Sequence, residues 1–180
     1  MGTLYFTRHG ETVWNVANKI CGSTDVKLTE RGIKQARDLG KKIREEKIAI
    51  DYILTSPLIR ARETARIISE ETGIPMRIEE GLREQNFGRY EGTPRDGKEF
   101  AKDKLNFIHS YGGGESMLRM AQRIYTVLDE VSKDVDHIYL IVAHNGIARF
   151  VESYYSDMEN EEFTNFRIHN CQLLKYEKTL

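Results

Sequence analysis

Along the chain, apolar and polar positions change period several times. TLYFT (3–7) is short and rich in β-branched and aromatic residues, so it predicts a strand, and it runs straight into Arg8-His9-Gly10. The stretch 30–47 places Ile33, Ala36, Gly40 and Ile43 at helical spacing with charges on the other face, behind Thr29 as N-cap. YILTS (52–56) predicts a second strand. Ser56-Pro57 then reads as the N-cap and N1 proline of a helix running to Thr72, with Gly73 as its stop. The clearest helical stripe is Met117, Met120, Ala121, Ile124, Val127, Leu128 and Val131, from Glu115 to about Ser132. HIYLIVA (137–143) predicts a buried strand, NGIARFVESYY (145–155) a helix and CQLLKYE (171–177) a last strand.

Alternation of strand-like and helix-like segments, without repeats or a Pro-rich linker, predicts an α/β fold. The expected architecture is a three-layer sandwich with a mostly parallel central sheet and helices on both faces, formed as one domain over 1–180. The connection 80–114 is long and irregular, with a helix expected within 95–108. Long segments of this kind tend to carry function, so it is expected to face a ligand.

Composition narrows the partners. A chain of 180 residues is large enough to bury roughly 70% of its unfolded surface. Lys and Arg number 27 against 28 Asp and Glu, a net charge of -1. There is no bulk basic excess to attract nucleic acid or an anionic membrane, so neither is expected as a partner and any anion site must be local. Cys21 and Cys171 cannot make a disulfide framework, and no run approaches 18 apolar residues, which together favour a reducing cytoplasm.

Ligands of open α/β sheets bind beyond the carboxyl ends of the strands. Three predicted strands end suggestively: in Arg8-His9-Gly10, in a helix whose first turn holds Arg60, and in His144-Asn145-Gly146. Two arginines and two histidines there would make a small cationic pocket for a phosphate dianion, since arginine offers a rigid fork of donors. Helix N-termini after Ser56 and near Asn145 would add partial positive charge. Each residue alone has a plainer reading, as a structural histidine or a solvated arginine. A two-histidine, one-carboxylate metal site is disfavoured because the arginines would repel a divalent cation, so no metal or other cofactor is expected. YGGGES (111–116) lacks the GK[ST] ending of a phosphate-binding P-loop and more simply leads into the following helix.

RHGETVWN, LTERGIKQA, SPLIRARETA, LREQNFGRYEG, GGGES and AHNG occur in this order over nearly the whole chain. In them the chain resembles the histidine phosphatase superfamily, also called the phosphoglycerate mutase-like family. The resemblance implies that His9 is the nucleophile that becomes phosphohistidine, that Arg8, Arg60 and His144 bind the phosphoryl oxygens, and that Glu84 is the general acid. The residues alone leave Glu84 open, since it could equally be a solvated loop acid beside Glu79, Glu80 and Glu91. Asn15 matches the family asparagine that reaches the transferred phosphate, and Cys21, Gly22 and Asn145 are expected at the substrate. Cys21 stands where relatives often carry Ser, Thr or Gln; a small buried apolar cysteine is the alternative. Lys27 stands where many relatives have Pro. Ala143 and Asn145 flank His144 where Ser and Gly are commoner.

The implied activity is a metal-independent phosphomonoesterase acting on small phosphorylated metabolites. The alternatives are a 2,3-bisphosphoglycerate-dependent phosphoglycerate mutase and a non-catalytic phospho-ligand-binding protein. Mutases of the family typically have a longer insertion after the acid motif. In this chain Arg95, Lys98, Lys102, Lys104 and His109 follow that motif, either capping the site against a second anionic group or forming a solvated helix face, the plainer reading.

Overall fold

The computed structural model describes residues 3–177. Five strands, β1 (Thr3–Arg8), β2 (Tyr52–Thr55), β3 (Met76–Ile78), β4 (Tyr139–Ala143) and β5 (Leu173–Glu177), form one sheet in the order β3-β2-β4-β1-β5. The first four run parallel, and β5 closes the edge antiparallel to β1. The helices are α1 (Val13–Val16), α2 (Glu30–Glu45), α3 (Ile59–Thr72), α4 (Lys98–Asp103), α5 (Met117–Lys133), α6 (Asn145–Tyr155) and α7 (Asn160–Asn165).

The period-2 alternation of the strands divides their side chains between two helical layers. Ile53, Leu140 and Val142 meet Leu39 and Ile43 of α2 and Ala65 and Ile68 of α3. Leu4, Phe6, Leu54 and Ile141 turn the other way, against Ile124 and Leu128 of α5 and Ile147 and Val151 of α6. Each of the larger apolar side chains, once buried, contributes roughly 1.5–3 kcal/mol relative to exposure. This is the expected three-layer α/β arrangement. Among the described residues no helix is long and apolar enough to cross a membrane.

Register places the chemistry. Arg8 lies opposite Ala143, and the His9 backbone N–H donates to the Ala143 carbonyl at 3.0 Å, so β1 and β4 end level and deliver His9 and His144 side by side. Thr55 pairs with Val142, which brings Ser56 to the same edge.

Several boundaries differ from those predicted. Ser56 does not cap α3: its hydroxyl accepts from the Leu58 N–H and meets His144, and α3 starts at Ile59 behind Leu58, with the Ile59 N–H capped by Asp25 Oδ1 at 2.8 Å. The start of α3 therefore offers a carboxylate, not an open anion site. Thr29 does cap α2, accepting from the Gly32 N–H, and Gly73 ends α3 at φ 75°. The strand β3 and helices α1 and α7 are too short for periodicity to reveal. The helix expected within 95–108 contracts to α4. The segment 80–114 around it is anchored by an aromatic cluster of Tyr90, Phe100 and Tyr111 with Ile20.

Candidate active site

His9 is 4% exposed at the carboxyl end of β1. Its Nδ1 lies 2.7 Å from the Gly10 carbonyl oxygen, which can only accept, so Nδ1 carries the proton and Nε2 keeps its lone pair. Burial first, then the Arg60 and Arg8 guanidiniums, hold the imidazole well below the usual histidine range. The ring is thus neutral at physiological pH, with an available lone pair on Nε2.

Arg60, 1% exposed on the first turn of α3, donates from Nε to His9 Nε2 at 3.2 Å. Its Nη1 and Nη2 donate to the carbonyls of Thr24 (2.9 Å) and Gly22 (2.7 Å). The turn presenting these carbonyls is held by Glu91, whose carboxylate accepts from the backbone N–H groups of Gly22, Ser23, Thr24 and Phe87 and from the Thr24 hydroxyl. Arg8 donates from Nη1 to the Ile168 carbonyl at 3.1 Å, while its buried Nε has no protein partner among the described residues. Burial, with Arg95 next, lowers Arg8 to about 10, so it remains a cation at neutral pH.

His144 precedes α6, 1% exposed, its ring edge-on to His9 with centroids 5.3 Å apart. Its Nε2 lies 2.7 Å from the Ser56 hydroxyl, which itself accepts from the Leu58 N–H. That arrangement favours Ser56 donating to Nε2, which leaves the proton on Nδ1, a buried atom without a protein partner among the described residues. Burial, then Arg60, His9 and Arg8, push His144 well below the usual histidine range as well. Two buried polar atoms without a protein partner among the described residues, Arg8 Nε and His144 Nδ1, therefore belong to the residues next to His9. An anion with several acceptor oxygens satisfies both.

Glu84 is 6% exposed and is fixed from both sides, Oε1 accepting from the Gln85 N–H and Oε2 from the Gly146 N–H, each at 3.0 Å. Each oxygen retains a lone pair for a proton. The fit is close: a Cβ on Gly146 would lie 2.2 Å from Glu84 Oε1.

Beyond this group opens a cleft of about 340 Å³, within the ordinary range for small-molecule sites. Cys21, Glu84 and Asn145 line it; burial raises the Cys21 thiol to about 11, so it stays protonated. Asn145 is largely committed to the backbone, donating to the Phe166 carbonyl and accepting from the Ile168 N–H. Gly22 supports Arg60 through its carbonyl. The Asn15 side-chain oxygen closes the capping box of α1 with the Thr12 N–H, and Asn15 does not line this cleft. Of the five basic residues after the acid motif, Arg95 and Lys104 line the cleft, while Lys98, Lys102 and His109 do not. Among the described residues no group of three or more His, Cys, Asp and Glu is placed to hold a metal ion.

Spacing alone does not single out Ser56, Glu91, Arg149 or Arg167. An arginine inside the apolar run GIARFV was the available signal for Arg149.

The model of the histidine phosphatase superfamily (branch 1) matches residues 4–179. A Yersinia pestis (strain Pestoides F) protein named "Probable phosphoglycerate mutase GpmB" is 32% identical over 178 residues, covering 94% of this chain and 82% of that one. Among solved structures, the α-ribazole phosphatase of Shigella flexneri superposes with a TM-score of 0.81 at 27% identity, covering 96% of this chain and 89% of the other. Bacillus stearothermophilus YhfR superposes with a TM-score of 0.83 at 30% identity, covering 98% and 91%. Matched from β1 through β5, with the histidines and arginines of its motifs meeting at one sheet edge, the chain belongs to the histidine phosphatase superfamily.

Proposed function

We propose that this chain is a phosphomonoesterase that hydrolyses small phosphorylated metabolites through a phosphohistidine on His9, without a metal ion. The observation that carries the reading is the state of His9: neutral, with the proton confined to Nδ1 by Gly10 and the Nε2 lone pair facing Arg60. Phosphoryl transfer depends mainly on positioning and on neutralising the equatorial oxygens. Arg8, Arg60 and the His144 Nδ1–H supply those donors. His9 Nε2 displaces the ester oxygen in line, forming the N–P bond as the P–O bond breaks, and Glu84 gives the leaving alkoxide its proton. The resulting Glu84 carboxylate then takes a proton from water as the water oxygen attacks phosphorus, releasing inorganic phosphate and restoring His9.

Hydrolytic activity also fits the similarity to an α-ribazole phosphatase. The similarity to a protein named as a phosphoglycerate mutase favours a second reading, in which the phosphoryl group returns to a bound product. A panel of phosphomonoesters with EDTA present, scored in parallel for inorganic phosphate and for phosphoryl exchange between 3- and 2-phosphoglycerate, separates the two. Phosphate release that survives EDTA and drops at least about a thousandfold in His9→Ala is expected. Exchange faster than release would favour the mutase, and loss of all activity in EDTA would refute the metal-free mechanism. Detergent-quenched labelling that persists in His9→Ala would refute the nucleophile.

A further inference from the structure

Resting on the reading of His9 as the nucleophile, we infer that Gln35 is a positioning residue for the reaction: by holding the Gly10–Glu11 peptide it keeps the His9 proton on Nδ1 and the attacking lone pair on Nε2. The Gly10 carbonyl that accepts from His9 Nδ1 at 2.7 Å belongs to this peptide, and at its other end the Glu11 N–H donates to Gln35 Oε1 at 2.8 Å. A trans peptide is planar, with its C=O and N–H on opposite sides, so an acceptor that fixes the N–H also fixes the line of the carbonyl. Gln35 thus acts on the imidazole through one rigid unit, while lying outside the cleft.

The adjoining backbone is anchored separately. The Gly10 N–H donates to the Thr64 hydroxyl at 3.0 Å, and the His9 carbonyl accepts from Asn170 Nδ2 at 2.7 Å. The Glu11 carbonyl accepts from the Thr29 N–H at 2.9 Å. These contacts fix the peptides on either side, whereas the peptide whose carbonyl meets the ring is held at its N–H by Gln35. The start of α2 is built for this contact. A Cβ on Gly32 would lie 2.1 Å from the Glu11 carbonyl oxygen, and one on Gly10 would lie 2.4 Å from the Gly32 carbonyl oxygen, so the two backbones touch. That approach brings Gln35, three residues beyond Gly32 on the same side of the helix, within reach of the Glu11 N–H. The motif LTERGIKQA, no residue of which lines the cleft, thereby acquires a part in the chemistry.

A neutral imidazole carries one proton, and the hydrogen bond made by one nitrogen decides the state of the other. Free histidine prefers the proton on Nε2, and a ring in that state has no lone pair there to attack phosphorus. Arg60 Nε, 3.2 Å from Nε2, favours the productive form in the resting site. In the proposed reaction that guanidinium serves the phosphoryl oxygens, which leaves the Gly10 carbonyl to hold the ring.

The test compares the intact protein with Gln35→Met and Gln35→Ala, which lack the acceptor, and Gln35→Glu, which keeps it. Nitrogen NMR of the His9 ring at pH 7.5 in phosphate-free buffer is expected to show the proton on Nδ1 in the intact protein and in Gln35→Glu. A share of the Nε2-protonated form is expected in the other two, and either suffices should its companion not fold. With p-nitrophenyl phosphate, kcat should fall at least about fivefold in Gln35→Met and Gln35→Ala while KM stays within about twofold, because Arg8, Arg60 and His144 are untouched. Gln35→Glu should recover most of kcat. If no form turns over an ester, the phosphatase reading fails while the ring spectra still decide the role of Gln35. A folded Gln35→Met or Gln35→Ala whose His9 ring keeps the spectrum of the intact protein would overturn the inference, as would a loss confined to KM.

Discussion

At the scale of single residues, the site depends on keeping two buried imidazoles uncharged beside two guanidiniums. In the unfolded chain both rings take up a proton near pH ~6.5. The folded rings resist it, since both are held well below that value. The unfolded state therefore binds more protons as pH falls, and stability is lost below pH 6.5, by up to about 1.4 kcal/mol per pH unit for each ring. Urea denaturation at pH 7.5 and 5.5 in phosphate-free buffer should show this loss, and His144→Gln should lessen it. An unchanged pH dependence in that variant would contradict the assignment. Gly146 offers a second check. Ala at this position must displace the Glu84 carboxyl, because its Cβ would fall 2.2 Å from Oε1. A misplaced general acid costs roughly 10²-fold. Gly146→Ala should accordingly lose about that much kcat on alkyl phosphates and much less on p-nitrophenyl phosphate, whose leaving oxygen needs no proton.

At the scale of elements, Arg60 is aimed by a turn rather than by its own helix. Glu91 gathers four backbone N–H groups and a hydroxyl onto one carboxylate, and the gathered turn offers Arg60 its two carbonyls. Glu91→Ala strands those donors and should cost about 2–4 kcal/mol in denaturation. In native conditions it should also raise KM for phosphoesters, and Glu91→Gln, which keeps one acceptor oxygen, should recover part of both. Such a residue is invisible to spacing, because three of its backbone partners, the N–H groups of Gly22, Ser23 and Thr24, lie 67–69 positions away. The long elements were legible because each shows one apolar face: the α5 stripe and the all-buried β4 were predicted to within two residues. The Ser56-Pro57 reading failed because α3 begins at Ile59, where Asp25, distant in sequence, supplies the acceptor that a local capping residue would otherwise give. His9 and His144 stood out by ending apolar runs, whereas only tertiary burial distinguishes Arg149 from a solvated helix arginine.

At the scale of the whole molecule, a net charge of -1 conceals a strongly uneven field. Arg8, Arg60, Arg95, Lys104, Arg149 and Arg167 gather at the carboxyl edge of the sheet, while the acidic excess lies elsewhere. Such a cleft raises the local concentration of anions, and salt screens the effect. kcat/KM for a multiply charged phosphoester should therefore fall several-fold between 50 and 500 mM monovalent salt. A flat salt response would argue against electrostatic capture.

The sheet order has a consequence for how the molecule is made. β1 is flanked by β4 and β5, and the Asn170 side chain and Cys171 N–H reach back to the carbonyls of His9 and Arg8. During synthesis β1, which leads into His9, must wait for partners more than 130 residues downstream. The buried position of His9 is therefore assembled only once β4 and β5 have joined β1, and a chain still lacking them holds no completed pocket at this edge.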